Sequence, residues 1–245
     1  MLSPELAETT DSNWKGLYKI CGAATVVMMV FFLFDVISWS ALGPYPSSAK
    51  GWFTLLQENR LVGFFLLSFP TLFGTMLYYL TFLGLYSILR QVNTAYAALA
   101  ALLAFVGLAI LLVTNMAYPM VHLNDQYAAT TTEAQRVLLL AAGETKIATT
   151  TTGMNMGGFL AEGAAVIFSL LMLRSNVFGK KIAYLGILGH GLDLTRIIMN
   201  LAFLPEGIGA ILLKIGGLPQ LIWLILVGRR FFQLGQGKSG ASQAA

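Results

Sequence analysis

Six apolar runs, each within the length that can cross a bilayer, leave this chain few ways to fold: Leu17–Ile37, Leu61–Leu89, Tyr96–Tyr118, Gly157–Leu173, Ile182–Phe203 and Gly207–Gly228. A helical span needs about 20 residues. No backbone polar group can go unpaired in hydrocarbon, so spanning segments are helices or closed barrels, and none of the runs shows the two-residue alternation of a barrel strand. Composition agrees: 57% of the 245 residues are hydrophobic and only 11% are charged, where a soluble domain carries about 25%. The expected fold is an all-α integral membrane protein, a six-transmembrane-helix bundle with short interfacial helices in its outer loops.

Charge at the ends of the runs sets a direction. Lys15 and Lys19 flank the first run, Arg90 follows the second, Arg174, Lys180 and Lys181 join the fourth to the fifth, and Arg229, Arg230 and Lys238 follow the sixth. All fall on one side if the chain crosses six times. On the other side Lys50, Arg60, Arg136 and Lys146 are mixed with Glu58, Asp125, Glu133, Glu144 and Glu206. The positive-inside rule then puts both termini in the cytoplasm of a cell (plasma) membrane protein. Residues 1–14 read as a cytoplasmic N-terminal segment, 15–234 as the transmembrane domain, and 235–245, rich in Gly, Ser, Gln and Ala, as a disordered tail. The first run reads as a signal anchor, because the segment before it opens with acids and has no basic stretch. The net charge of +4 lies at membrane flanks, not in a patch, and does not point to nucleic acid.

Two outer loops carry helical signals. Ser48 to Gln57 reads as a short amphipathic helix that offers Trp52, Phe53, Leu55 and Leu56 to the membrane interface. Thr132-Glu-Ala-Gln135 is a capping-box pattern leading into Val137–Leu140, with Gly143 placed to close that helix. These helices either lie flat at the interface or form a lid over an outward-facing cavity.

Charges within the runs are the main functional lead. Glu162 lies in the fourth, Asp193 and Arg196 in the fifth, and Lys214 in the sixth. Each ionised residue at the bilayer centre costs about 2.5–3.5 kcal/mol on insertion scales, so such residues pair or serve a function. Glu162 and Asp193 are each eleven residues from the inner end of their runs, about 16 Å into a ~30 Å core; Arg196 and Lys214 lie about one turn further out. His190, Asp193, Arg196 and Asn200 share an arc of roughly 120° at 100° per residue, and Asn155, Glu162 and Ser169 share a stripe of the fourth helix. The simplest pairing joins one acid to Arg196 and the other to Lys214. A direct or water-bridged contact between Glu162 and Arg196 is expected, because their helices are joined by a short loop. The candidate ligand-binding residues are therefore Glu162, His190, Asp193, Arg196, Asn200, Lys214 and Asn155. A charge-neutral clamp that fixes helix register is the competing account. Asp35, Asn115 and Thr71, if they face inward, would open such a pocket outward.

Glycine and proline mark other places. Gly216-Gly217-Leu-Pro219 in the sixth run and Pro70 in the second suggest a break or kink, of the kind found around transporter sites. Gly153-x3-Gly157 and Gly186-x2-Gly189-x-Gly191 permit close helix approach.

Several chemistries find no support. His122 and His190, the only histidines, differ in depth by about 30 Å, too far to share one metal or haem. A metal held by His122, Asp125 and Glu144 would rest on one loop. Lys214 is a last-span lysine, but a retinal protein has seven spans and six are counted here. No Ser-His-Asp order, phosphate-binding glycine loop or Walker motif is present. No cofactor is expected. Cys21 is the single cysteine, which excludes an intrachain disulfide.

Leu56-Gln-Glu-Asn-Arg-Leu61, Leu85-Tyr-Ser-Ile-Leu-Arg90, Leu173-Arg-Ser-Asn-Val-Phe-Gly-Lys-Lys181 and Trp223-Leu-Ile-Leu-Val-Gly228 follow one another with a spacing that resembles a bacterial and archaeal family of six-span membrane proteins known only as a domain of unknown function. The likeness covers most of residues 15–235. It implies the topology and no activity. Members often carry an acid just before the last Trp-Leu motif, where this chain has Pro219 and Gln220. The leading expectation is a multi-pass protein that binds or transports a small or amphiphilic molecule at its polar midplane, in contact with membrane lipids. The alternatives are a membrane-embedded enzyme that uses Glu162 or Asp193, and a structural or regulatory subunit.

Overall fold

The computed structural model describes residues 4–42, 45–67, 69–202 and 206–237, and all of its regular structure there is helical. Among the described residues nine helices follow in order: α1 Pro4–Leu42, α2 Ala49–Glu58, α3 Arg60–Leu66, α4 Phe69–Leu89, α5 Thr94–Thr114, α6 Ala117–Ala129, α7 Glu133–Met172, α8 Lys180–Leu201 and α9 Glu206–Gly235. Six of the resulting helical stretches are long and apolar enough to cross a membrane. The chain is an all-α, multi-pass membrane-type bundle, as the apolar runs require.

Successive long helices pack as neighbours. α1 meets α4, α4 meets α5, α5 meets α7, α7 meets α8, α8 meets α9, and α9 returns to α1. This closes a ring of six, with α7 also reaching across to α4, where Phe82 and Phe168 stack at 5.9 Å. Helices alternate in direction, so Lys15, Lys19, Arg90, Arg174, Lys180, Lys181, Arg229 and Arg230 gather at one end, the basic end. α2, α3, α6 and the first half of α7 gather at the other, the cap end. The main core lies in the basic half and includes Leu85, Leu89, Phe168, Met172, Trp223 and Phe231.

Glycine sets the tightest crossing. A Cβ on Gly107 would lie 2.5 Å from the Gly157 carbonyl oxygen, and one on Gly157 2.7 Å from that of Gly107. α5 and α7 thus touch backbone to backbone, which only a residue without Cβ allows. The Gly153-x3-Gly157 spacing marks this contact, since Gly153 faces Thr114 on the same helix pair.

The cap end departs from the expected arrangement. α2 does not lay its apolar face on lipid. Trp52, Phe53 and Leu56 are at most 2% exposed and form a second core with Leu66, Leu67, Ala117 and Met120. The second outer helix is not separate either. Thr132 caps α7 by accepting from the Gln135 N–H at 3.4 Å, but Gly143 does not end the helix, which runs on for 40 residues. Gly143 is instead where α2 crosses α7, a Cβ there lying 2.6 Å from the Ala49 Cβ. Gly143 suits a helix end and a close crossing equally, and the packing partner decided between them. At 1.5 Å per residue α7 is about 60 Å long, twice the ~30 Å core, so its first half stands clear of the bundle. Glu144 accepts from the Ala49 N–H at 2.8 Å and Ser48 from the Gly51 N–H at 3.2 Å, which satisfies the start of α2.

Breaks fall where the sequence carries cap chemistry. The third run divides at Asn115, whose side chain accepts from the Ala117 N–H at 2.9 Å. The freed Thr114 carbonyl accepts from Lys146 Nζ and Thr150 Oγ1. The second run divides between α3 and α4, just before Pro70. The sixth does not divide: Pro219 lies inside α9, and Gly216 lets α8 approach, a Cβ there lying 3.2 Å from the Gly189 carbonyl. The threonines of the run 149–152 lie on α7, three of them bonding back to carbonyls one turn earlier. The expected tail falls largely outside the described residues.

Candidate functional site

α7 carries Glu162 and Asn155 two turns apart, and α8 carries His190, Asp193, Arg196 and Asn200 on the face that meets α7 and α9. The contacts resolve into two layers. In the deeper layer His190 Nδ1 is 2.7 Å from Glu162 Oε2. The Gln220 amide, from α9, donates to the same oxygen at 3.2 Å and to the Gly189 carbonyl at 3.3 Å. In the layer nearer the cap end, Arg196 Nε donates to Asp193 Oδ1 at 2.5 Å, and Asn200 donates to Asn155 Oδ1 at 3.4 Å. From His190 to Asn200 the polar face of α8 climbs ten residues, about 15 Å.

The pairing differs from the simplest one. Glu162 makes no direct bond to Arg196 among the described residues; its partners are His190 and Gln220, and Arg196 is taken by Asp193 one turn away on its own helix. An i,i+3 pair needs no second helix to form, so it wins the arginine. Lys214 is exposed on α9 and forms no ion pair among the described residues. It leaves the cluster because its face of α9 turns away from α7 and α8. Glu162 Oε2 thus faces both His190 Nδ1 and the Gln220 amide. A neutral His190 then donates from Nδ1 and keeps a lone pair on Nε2.

That Nε2 is buried and has no hydrogen-bond partner among the described residues; the same holds for Trp223 Nε1. Both residues line a cavity of about 150 Å³ together with Met28, Thr71, Thr75, Tyr78 and Gln220. The wall thus comes from α1, α4, α8 and α9. It runs from His190 and Trp223 toward Thr71, which lies nearest the cap end of α4. Trp223 meets His190 edge to face, centroids 4.6 Å apart at 84°. Its indole nitrogen sits over Gly186, where a Cβ would come within 2.5 Å of it.

Three residues of this site escaped the reading of charges: Gln220, Trp223 and Tyr78. The family likeness pointed near Gln220, because relatives carry an acid close to that place. Here an amide faces Glu162, and two carboxylates would repel. Of the outer residues, Thr71 lines the cavity and Asn115 is a helix cap, while the Asp35 side chain lies outside the described residues. At the cap end His122 meets Gln126 at 3.1 Å, Asp125 is held by Arg60 through two bonds, and Glu144 serves α2, so these residues are spent on separate contacts.

The model of a family described as a domain of unknown function, DUF4386, matches residues 20–228. The chain belongs to that family. Its matched region runs from within the first span to within the sixth and holds every residue of the two polar layers. Comparisons with curated proteins and with solved structures found no match.

Proposed function

We propose that this DUF4386 member binds, and in its membrane carries, a small or amphiphilic molecule in the cavity beside His190. One observation carries the reading: a histidine 4% exposed has one nitrogen fixed by a carboxylate and the other unpartnered at a cavity. A buried polar atom without a partner costs about 1–3 kcal/mol, and a molecule that donates a hydrogen bond to Nε2 recovers that cost. A cavity of about 150 Å³ matches an engineered one that takes up benzene. The expected ligand group is therefore about the size of one ring, with a hydroxyl or N–H to offer and an apolar body toward Met28. The basic flanks support cytoplasmic termini in a cell membrane, which would turn the cap end, and the Thr71 end of the cavity, outward.

The Glu162–His190 dyad supports a second reading. A carboxylate that fixes a histidine's tautomer while Nε2 faces a cavity is the arrangement of a general base, which would make the molecule a substrate.

Thermal unfolding in detergent, against a panel of small amphiphilic alcohols and amines, tests binding. A ligand at one hundred times its Kd adds about 2.7 kcal/mol. The shift should vanish in Thr75→Phe, which fills the cavity, and in His190→Phe. A panel that moves neither wild type nor variants, or moves them equally, rejects the site.

A further inference from the structure

We infer that the seam between α1 and α9 at the basic end is a binding site for one anionic phospholipid, distinct from the cavity beside His190. The observation is a second hollow of about 480 Å³ that lies on this seam. Its shape follows from small residues. A Cβ on Gly228 would lie 2.2 Å from Thr25 Oγ1, and one on Gly22 2.9 Å from the Phe232 ring. The helices therefore cross closely and leave no side chain to fill the groove above the crossing.

The lining is graded. Toward mid-membrane it is apolar, with Val26, Met29 and Ile225; toward the basic end it carries Arg229, Gln233 and Gln236. Val26 and Ile225 are nearly half exposed, so an acyl chain is their natural neighbour. At the polar mouth Lys19 lays its stem against Gly235, its Cγ 2.6 Å from where a Cβ would stand, and Lys15 Nζ comes within 3.8 Å of the same point on Gly237. Arg229 thus lines the groove, and the two lysines lie against the glycines on either side of Gln236, which also lines it.

Among the described residues no acidic side chain pairs with them. No acidic side chain lines the groove, and the ion pairs among the described residues lie elsewhere, at Arg60–Asp125, His190–Glu162 and Arg196–Asp193. A phosphodiester supplies the missing charge, and its chains continue along the apolar wall. Basic pockets between membrane helices recognise anionic headgroups in this way. A free phosphate would meet the cations and leave the apolar part unused.

The test is native mass spectrometry of the full chain from micelles doped with equal amounts of dioleoyl-phosphatidylglycerol and dioleoyl-phosphatidylcholine. One phosphatidylglycerol should be retained in preference to phosphatidylcholine. Arg229→Gln and Lys19→Gln, both at exposed positions, should each weaken retention about fivefold. Val26→Trp fills the groove without touching a charge and should abolish it. Arg174→Gln and Lys181→Gln, at the same end but off the seam, should leave it unchanged. Equal retention of the two lipids, equal loss in the off-seam variants, full retention in Val26→Trp, or competition by inorganic phosphate alone would each overturn the assignment. Thr75→Phe should not alter lipid retention, which separates this site from the cavity.

Discussion

A double-mutant cycle on Glu162 distinguishes the observed pairing from the one that helix phase alone suggests. Glu162→Gln keeps an oxygen that both His190 Nδ1–H and the Gln220 amide can use, so it removes the charge and little else. Bonds to charged groups contribute about 1.5–3 kcal/mol against about 1 for neutral ones, so this change should cost roughly 1 kcal/mol. His190→Phe keeps a ring against Trp223 but removes the donor at 2.7 Å, leaving the carboxylate with the 3.2 Å bond from Gln220. That should cost about 1.5–3 kcal/mol. Combined, the changes should cost less than their sum, because each removes the same bond. Two magnitudes bound the difference. A buried pair in a soluble protein would couple strongly, but cycles within membrane bundles average about 0.6 kcal/mol and reach about 1.7. Glu162 is 21% exposed, so some solvation remains, and a coupling of about 1 kcal/mol is expected. The parallel cycle with Arg196→Gln should be additive within about 0.5 kcal/mol. The assay is reversible unfolding in lipid–detergent micelles followed by far-ultraviolet circular dichroism. A larger coupling at Glu162/Arg196 than at Glu162/His190 would refute the layered arrangement.

Two further outcomes follow from the packing and the topology. Gly107→Ala must open the α5–α7 crossing by about 0.9 Å to restore an ordinary 3.4 Å contact; it should cost about 1–3 kcal/mol, and adding Gly157→Ala should cost less than Gly157→Ala alone, since the helices are already apart. Thermal unfolding of the three variants checks this, and strict additivity would contradict the backbone contact. Cysteine tagging in a Cys21→Ala background should label Thr131→Cys from outside intact cells and leave Ser239→Cys unlabelled; labelling of Ser239→Cys would reverse the orientation.

What the chain determined alone is the number of long helices and their alternation. Twenty apolar residues can satisfy their own backbone only as a helix, and this needs no partner. Thr132 and Ser48 likewise announce helix starts, because capping is a bond within one turn. Partner choice was not legible. Glu162 could have met Arg196, Lys214 or His190, since depth and phase fix height and face but not which neighbour lies across. The tertiary ring settled it: α9 turns Lys214 outward and Gln220 inward, and the i,i+3 pair claims Arg196 before α7 can reach it. The same holds for Gly143 and Trp52. A glycine and an amphipathic face suit lipid, a helix end or a crossing alike. Only the approach of α2 to α7, through Ala49 and Glu144, decided that these residues build a cap of protein on protein.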